Sequence, residues 1–187
     1  MLRTVLILAL AGLSANVAFA NPIAVRPAAQ QPTSATPGLA VRYAYPGDVR
    51  SLAQAERERN QAEPGPPLQG FDYPDTFRGQ PALTSERSTR VVAFFEGYML
   101  FDQVGVHRLQ FHNNDGLRVA IGGETVYVYD GRHPCESNGW VEIDVPEVGW
   151  YPVSGTFFQR METSCLMLRM EEPDGTRRWT DVSITRH

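Results

Sequence analysis

The stretch LRVAIGGETVYVYD, residues 117–130, alternates in side-chain character on both sides of a Gly-Gly pair. Between Glu124 and Tyr129 most residues are β-branched or aromatic, and successive side chains of a strand point to opposite faces. Glycine also tolerates the positive φ that a tight turn requires. The stretch therefore predicts a β-hairpin that turns at Gly122 and Gly123.

Short runs of the same kind follow one another along most of the chain, separated by turn signals. They read GLAVRYAY, RVVAFFEGYML, VGVHRLQFH, WVEIDV, GWYPVSGTFFQ, SCLMLRMEE and TDVSI. Many strands at close spacing indicate an all-β protein, and we predict an antiparallel β-sandwich or barrel. One short surface helix is predicted near residues 48–62, with Asp48 as its N-cap. The pattern excludes a doubly wound nucleotide-binding fold, and the sequence contains no GxGxxG or P-loop motif.

The first part of the chain divides into two segments of different composition. Residues 1–20 contain one basic residue, an apolar run and the ending Ala-Phe-Ala, which is typical of a cleavable secretory signal peptide. Residues 21–37 are rich in proline, alanine and glutamine, and we predict a disordered linker there. The β-domain is then predicted to span residues 38–187. We expect a secreted or periplasmic protein, or one at the cell surface, with no transmembrane segment after signal cleavage.

Charge and cysteine content narrow the classes of function. Of 17 basic residues, one lies in the predicted signal peptide, so 16 remain against 21 acidic residues, a net charge of −5. No basic cluster is present to neutralise phosphates, and we expect no nucleic-acid partner. Two cysteines, Cys135 and Cys165, are predicted to form a disulfide in an oxidising compartment. The alternative, a catalytic thiol, would need a partner histidine and a lowered pKa.

The segment FHNNDG, residues 111–116, holds more polar turn-forming residues than one hairpin needs. Asn113, Asn114 and Asp115 are consecutive, and they offer amide and carboxylate oxygens. One interpretation is a turn whose side chains cap their own backbone. The other is a loop that binds a metal ion or sugar hydroxyl groups. The residues alone leave both open, and a tight turn can also carry ligands.

The order of motifs resembles the PA14 domain family over residues 38–187. It comprises GLAVRY, FFEGYML, GVHRLQF, NNDGLRVAIGG, GWYP and the PDG turn. The resemblance implies a β-sandwich or barrel of the kind found in secreted glycosidases, adhesins, flocculins and toxins, several of which bind carbohydrate. In the lectin-type members, a calcium ion lies between two loops and contacts sugar hydroxyls directly.

The family's Asp-Asp-Gly motif falls on residues 114–116, and its second loop falls on residues 159–163. The resemblance implies a calcium site formed by side-chain oxygens and backbone carbonyls, whose members here are Asn114, Asp115, Gln159, Met161 and Thr163. This sequence departs from the family at three positions. Asn114 replaces an aspartate, Gln159 replaces an asparagine, and Gly122 replaces the aspartate of an Ile-Asp-Gly motif.

The same loops are the predicted sugar-contact surface. The ligand-binding residues expected there are Asn113, Asn114, Asp115 and Gln159. Trp140 is added as an aromatic contact, because Ser137-Asn138-Gly139 marks an exposed loop beside it and sugar rings stack on indoles.

The sequence offers no support for catalysis. It lacks a G-x-S-x-G elbow and the HExxH spacing, and nothing places a carboxylate pair in a cleft. We therefore predict a non-enzymatic, secreted, lectin-like protein of the adhesin type that binds a glycan or a cell-surface polysaccharide, assisted by Ca2+. The alternative is a non-catalytic structural or protein-interaction module of a bacterial envelope or surface assembly, with an envelope protein as partner.

Overall fold

The computed structural model describes residues 21–33 and 36–187. The predicted signal peptide, residues 1–20, lies outside the described residues. Strands dominate the described part of the chain. In chain order they are β1 (Ile23–Ala24), β2 (Leu39–Ala44), β3 (Glu63–Leu68), β4 (Asp72–Tyr73), β5 (Val91–Phe101), β6 (Gly105–Asn114), β7 (Gly116–Ile121), β8 (Glu124–Tyr129), β9 (Val141–Val145), β10 (Gly149–Gln159), β11 (Cys165–Glu171), β12 (Arg177–Trp179) and β13 (Thr185–Arg186).

These strands form two sheets. The six-stranded sheet has the order β1-β9-β6-β11-β12, and β4 also pairs with β11. The seven-stranded sheet has the order β3-β2-β5-β10-β7-β8, and β13 pairs with β5. Strand pairs in the described residues are antiparallel except for the short β1–β9 pair. The predicted all-β antiparallel sandwich and the predicted hairpin of β7 and β8 are confirmed.

Aromatic side chains from both sheets fill the space between them. Phe111 of the six-stranded sheet packs with its ring centroid 5.0 Å from that of Tyr127 in the seven-stranded sheet. Phe71 contacts Phe95 and Phe111 edge to face, each at 5.6 Å. Phe71, Phe95 and Phe111 are almost completely buried. Each such ring removes a large apolar area from water, so this core is what holds the two sheets face to face.

A short helix, α1 (Leu52–Arg57), packs on the outer face of the seven-stranded sheet and is followed by a 3₁₀ turn at Arg59–Gln61. It buries Leu52 and Ala55 against Phe94 and Phe158, which point outward from β5 and β10. The predicted surface helix is confirmed.

The N-cap of the helix lies three residues later than predicted. Ser51 is the N-cap, and its side chain accepts a hydrogen bond from the backbone N–H of Gln54 at 3.2 Å. The Asp48 carboxylate instead accepts hydrogen bonds from Arg50 and Arg160, at 2.6 and 2.7 Å. The prediction of Asp48 as N-cap is therefore wrong, because two arginines compete for its side chain.

The structure differs from the predicted disordered linker over the described part of residues 21–37. Ile23 and Ala24 pair with the edge of β9, and Val25 is 1% exposed. The backbone N–H of Ala28 donates to the carbonyl of Trp150 at 2.8 Å. An unpaired strand edge offers free backbone donors and acceptors, and this segment satisfies them while burying its few apolar side chains.

Cys135 and Cys165 form the predicted disulfide, with their Cα atoms 5.8 Å apart. The bond ties the irregular segment before β9 to the first residue of β11. Cys165 pairs across the strands with Asn114, so the disulfide lies beside the polar segment singled out in the sequence.

Replacing both cysteines by serine removes this cross-link. Because the bridged residues are 30 positions apart, we expect the free energy of unfolding to fall by about 3–4 kcal/mol on the chain-entropy model. Chemical denaturation of the oxidised protein and the double variant measures the difference. A loss smaller than about 1 kcal/mol would show that the cross-link contributes far less than loop-closure entropy predicts.

Candidate functional site

Two strand junctions meet at one end of the sandwich and form the candidate site. The first is the step from β6 to β7 at Asn114 and Asp115, where the chain passes from one sheet to the other. The second is the segment 160–164 between β10 and β11, which makes the same passage in reverse. Phe158 of β10 pairs with Gly116 of β7. Cys165 of β11 pairs with Asn114, so both junctions are held side by side by strand register.

Gly116 is required by close packing at this end. A Cβ atom there would collide with the ring of Phe158, which is fully buried between β10 and α1. The residue after Asp115 must therefore lack a side chain. This contact brings the backbone of the first junction down onto the second.

Asp115 is the centre of the arrangement. It is only 3% exposed, and its Oδ2 accepts a hydrogen bond from the backbone N–H of Arg160 at 2.8 Å. Its own N–H donates to the carbonyl of Phe158 at 3.2 Å, and the Asn114–Asp115 peptide bond is cis. Arg132 approaches Oδ1 at 3.9 Å. Burial raises the pKa of the Asp115 carboxyl, although the Arg160 N–H and the Arg132 charge oppose that shift.

Amide side chains complete the contact between the two junctions. The Nδ2 of Asn114, a residue 6% exposed, donates to Thr163 Oγ1 at 3.2 Å. Gln159 is fully buried, and its amide nitrogen donates to the carbonyl oxygens of Met161 and Thr163. Its Oε1 has no hydrogen-bond partner. The second loop thus folds two of its carbonyl oxygens onto the Gln159 amide, and its Thr163 hydroxyl contacts the first junction.

Asn113 points the other way, into the protein. It is fully buried; its Oδ1 accepts from the Tyr127 hydroxyl at 2.9 Å, and its Nδ2 donates to the carbonyl of Asp115. The same Nδ2 lies 2.9 Å from His133 Nε2. Asn113 therefore positions Asp115, and its contact with a sugar stays a prediction.

His133 supports the first junction from the disulfide-linked segment. Its ring stacks on Tyr129 with centroids 3.8 Å apart, and its side chain is 4% exposed. Burial lowers the pKa of His133, despite the nearby carboxylates of Glu136 and Asp115. A neutral His133 can accept the Asn113 hydrogen bond through Nε2. This contact could not be predicted from local sequence, because Asn113 and His133 are 20 positions apart.

Arginine charge is kept partly out of the site. The Nε of Arg160 donates a hydrogen bond to Asp48 Oδ1 at 2.7 Å. Arg160 contacts Asp115 through its backbone N–H group and not through its guanidinium. Glu162, the other acidic residue of the second loop, forms an ion pair with Arg78. Asp115 is consequently the one carboxylate that the described residues place between the two junctions, and Arg132 and His133 are basic side chains beside it.

Two positions considered in the sequence lie elsewhere. Trp140 is on the outer face of the six-stranded sheet, where its ring packs against Arg108. Gly122 follows the far end of β7, and a Cβ atom there would collide with the backbone of Arg26. The absence of an aspartate at Gly122 therefore does not affect the site. It allows the N-terminal segment to pack.

The described residues contain no group of three or more histidine, cysteine, aspartate or glutamate side chains arranged for a metal ion. The donors brought together here are of a different kind, namely amide and carbonyl oxygens with a single carboxylate. No helix among the described residues is long and apolar enough to cross a membrane.

The sequence matches no protein-family model, and no curated protein matches it closely enough to assign a family. Its fold is shared with solved structures. The PA14 sugar-binding domain from an RTX adhesin has a TM-score of 0.67 at 18% identity, over 82% of this chain and 99% of that one. The epithelial adhesin 9 A domain from Candida glabrata, in complex with Galβ1-3GlcNAc, gives 0.66 at 13% identity, over 88% and 95%. The PA14 domain of the antifreeze protein MpAFP gives 0.65 at 13% identity, over 82% and 90%.

The protein therefore has a PA14-like β-sandwich fold, and the resemblance seen in the motif order is confirmed. In the motif order, the family's two loops fall on residues 114–116 and 159–163. These two segments are adjacent in space.

The raised pKa of Asp115 gives a prediction with a definite sign. A carboxyl whose folded pKa is raised stabilises the fold only while it is protonated, and this contribution is lost as the pH rises through the folded pKa. We expect Asp115→Asn, measured in EDTA, to melt at the wild-type temperature at low pH and above it near neutrality. Thermal melts of both proteins from pH 3 to 7 give the difference. A variant that melts below wild type near neutrality would show that the ionised carboxylate is stabilising instead.

Proposed function

We propose that this protein is an extracellular or cell-surface carbohydrate-binding domain of the lectin-like, adhesin type, acting by binding and not by catalysis. The observation that carries the proposal is the meeting of the Asn114–Asp115 junction with the 159–163 loop on a PA14-like sandwich. Its structural neighbours include a sugar-binding domain of an adhesin and an adhesin domain in complex with Galβ1-3GlcNAc. The disulfide Cys135–Cys165 fits an oxidising, extracytoplasmic location.

Calcium is the ion that these donors fit best. The oxygens available are side-chain atoms of Asn114, Asp115 and Gln159 and the carbonyls of Met161 and Thr163, and Ca2+ takes six to eight oxygens of these types. In the structure, the Gln159 amide nitrogen lies against the two carbonyls while Oε1 is buried without a partner. A cation between the carbonyls would take the place of that N–H group, and rotation of the amide would give Oε1 a partner.

The charge of the site sets the expected affinity. A single carboxylate, opposed by Arg132 at 3.9 Å, attracts a divalent cation less than a pair would. We therefore expect a dissociation constant of roughly 10⁻⁴–10⁻³ M, in the range of extracellular calcium modules. The bound ion supplies coordination positions for sugar hydroxyls, and Asn114 and Thr163 offer hydrogen-bonding groups at its edge. Such a shallow polar site binds one sugar weakly, so adhesion would need several copies.

The test is a thermal melt in EDTA and then with calcium at about ten times the expected dissociation constant. Ligand that binds only the folded state then adds about 1.4 kcal/mol, which corresponds to a rise of about 3–6 °C for a domain of this size. We expect Asp115→Ala to abolish the rise. The exposed Asp144 of β9 carries the same charge outside the site, so Asp144→Ala is the matched control and should keep the rise.

Sugar binding is then measured on a glycan array with and without calcium. Binding that disappears in EDTA and in Asp115→Ala supports the proposal. Binding that survives both changes would move the sugar site away from the two junctions. An array without any binder, together with a melt that calcium does not shift, would contradict the proposal.

A second candidate is a structural or protein-interaction module of an envelope or surface assembly. It is favoured by Gln159, whose amide already satisfies both carbonyls of the second loop, and by Arg132 beside Asp115. These contacts make the site stable without a cation. Chemical cross-linking in intact cells distinguishes the two candidates, because only the second requires a stoichiometric protein partner that persists after glycans are removed enzymatically.

A further inference from the structure

The outer face of the six-stranded sheet carries a group of tryptophan and arginine side chains, in a chain whose net charge is −4. This face is distinct from the two junctions described above. We name the group the Trp/Arg platform, and its members are Trp140, Trp179, Arg108, Arg169 and Arg177.

Strand register arranges three members of the platform, together with Gln110, in one row across the sheet. Arg169 of β11 pairs with Gln110 of β6 on one side and with Trp179 of β12 on the other. Trp140 immediately precedes β9, whose pairing with β6 places it beside Gln110. Side chains of alternate residues point to the same face of a sheet, so the side chains of Trp140, Gln110, Arg169 and Trp179 lie next to one another in that order across the outer face.

The guanidinium groups of all three platform arginines pack near the ring of Trp140. Their central carbons lie 5.1 Å (Arg108), 5.8 Å (Arg177) and 5.9 Å (Arg169) from the ring centroid. Cation–π attraction at these distances holds the arginines over the face of the sheet.

Two of the three arginines are neutralised, and one is not. Glu171 forms ion pairs with both Arg108 and Arg177, and Glu142 lies 3.5 Å from Arg108. Arg169 has no carboxylate within ion-pair distance among the described residues. Its guanidinium retains unused donors in the planar arrangement that matches an anionic group.

Trp179 supplies an open aromatic surface beside that charge. It is 50% exposed, and its ring meets His112 edge to face at 5.1 Å. This contact limits the freedom of the indole, so less entropy is lost when a ligand stacks on it. The exposed half of the indole is an apolar, aromatic face on which a sugar ring can stack.

We propose that the Trp/Arg platform is a second binding site, specific for an anionic sugar residue of an acidic polysaccharide. The pyranose ring stacks on Trp179 and its acidic group pairs with Arg169. Directly opposed residues of antiparallel strands have Cβ atoms about 4.5–5.5 Å apart. This matches a sugar whose carboxylate is attached directly to the ring. The Nε2 of Gln110 donates to Ser137 Oγ at 2.9 Å, so Gln110 offers its Oε1 as an acceptor to a hydroxyl group of the next sugar.

The second site is independent of the first in position and in chemistry. Gln110 and Asn114 are four residues apart on β6, a separation of roughly 13 Å along a strand. No oxygen donor of the two junctions belongs to the platform. Binding at the platform therefore requires no cation and continues in EDTA, which separates it from the proposed calcium-assisted site.

The experiment titrates the purified protein, in EDTA, with a uronic acid trisaccharide and a neutral trisaccharide. Tryptophan fluorescence and calorimetry report binding. We expect the uronic acid trisaccharide to bind in the micromolar to millimolar range, and the neutral one to bind at least about tenfold more weakly, since a charge-assisted pair contributes about that factor. A sulfated trisaccharide distinguishes carboxylate from sulfate as the source of the charge.

Variants locate the binding on the platform. We expect Arg169→Gln and Trp179→Ala each to weaken binding about tenfold or more, and Trp179→Phe to restore part of the loss because it keeps a ring. Arg50→Gln is the matched control, because Arg50 is exposed, carries the same charge and lies outside the platform. Circular dichroism confirms that the variants fold.

The opposite results are equally specific. If Arg50→Gln weakens binding as much as Arg169→Gln, the attraction is a non-specific charge effect and the site is wrong. If polyglutamate of equal charge competes as well as the sugar does, the surface recognises acidic protein and not an acidic polysaccharide. Failure of the calcium melt while uronic acid binding persists would overturn the first site alone.

Discussion

Strands β5 and β10 pair along their whole length, from Gly149 opposite Phe101 to Gln159 opposite Val91. A slip of one residue would move every side chain of β10 to the other face of the sheet. Gly155 fixes the register further, because the Phe95 ring occupies the space where a Cβ atom would lie. The position of Gln159 at the end of β10, and hence of the loop after it, follows from this ladder. Both the core and the candidate site depend on it.

Side-chain alternation is a local property, and it was sufficient to predict the long strands and the sandwich. It failed where a strand has unusual composition. The prolines of EPGPPL in β3 hide any side-chain alternation, yet the segment pairs with β2 as an edge strand, where a missing N–H can face solvent. Similarly, β1 is too short to show a period and is stabilised by the edge of β9. Edge strands depend on a neighbour that the local sequence does not reveal.

The candidate site was only partly visible in the sequence. Its two junctions are about 45 residues apart, and it was the motif order that brought Asp115 and the second loop together. Alternation along β6 already implied that Asn113 points inward, since it follows Leu109 and Phe111 at a spacing of two. The partners that make its burial favourable, Tyr127 and His133, are contacts that only the folded structure shows.

The N-terminal segment and β13 are fastened at the end of the sandwich opposite to the junctions at Asn114 and Thr163. Ala28 binds Trp150 near the start of β10, and β13 pairs with Tyr98 and Met99 near the end of β5. The two ends of the sandwich therefore differ: one holds both described chain termini, and the other holds the candidate calcium-and-sugar loops. A tether joined to either chain terminus would transmit force through the sheets and not through these loops. It would also leave the loops at the end of the domain that faces away from the tether.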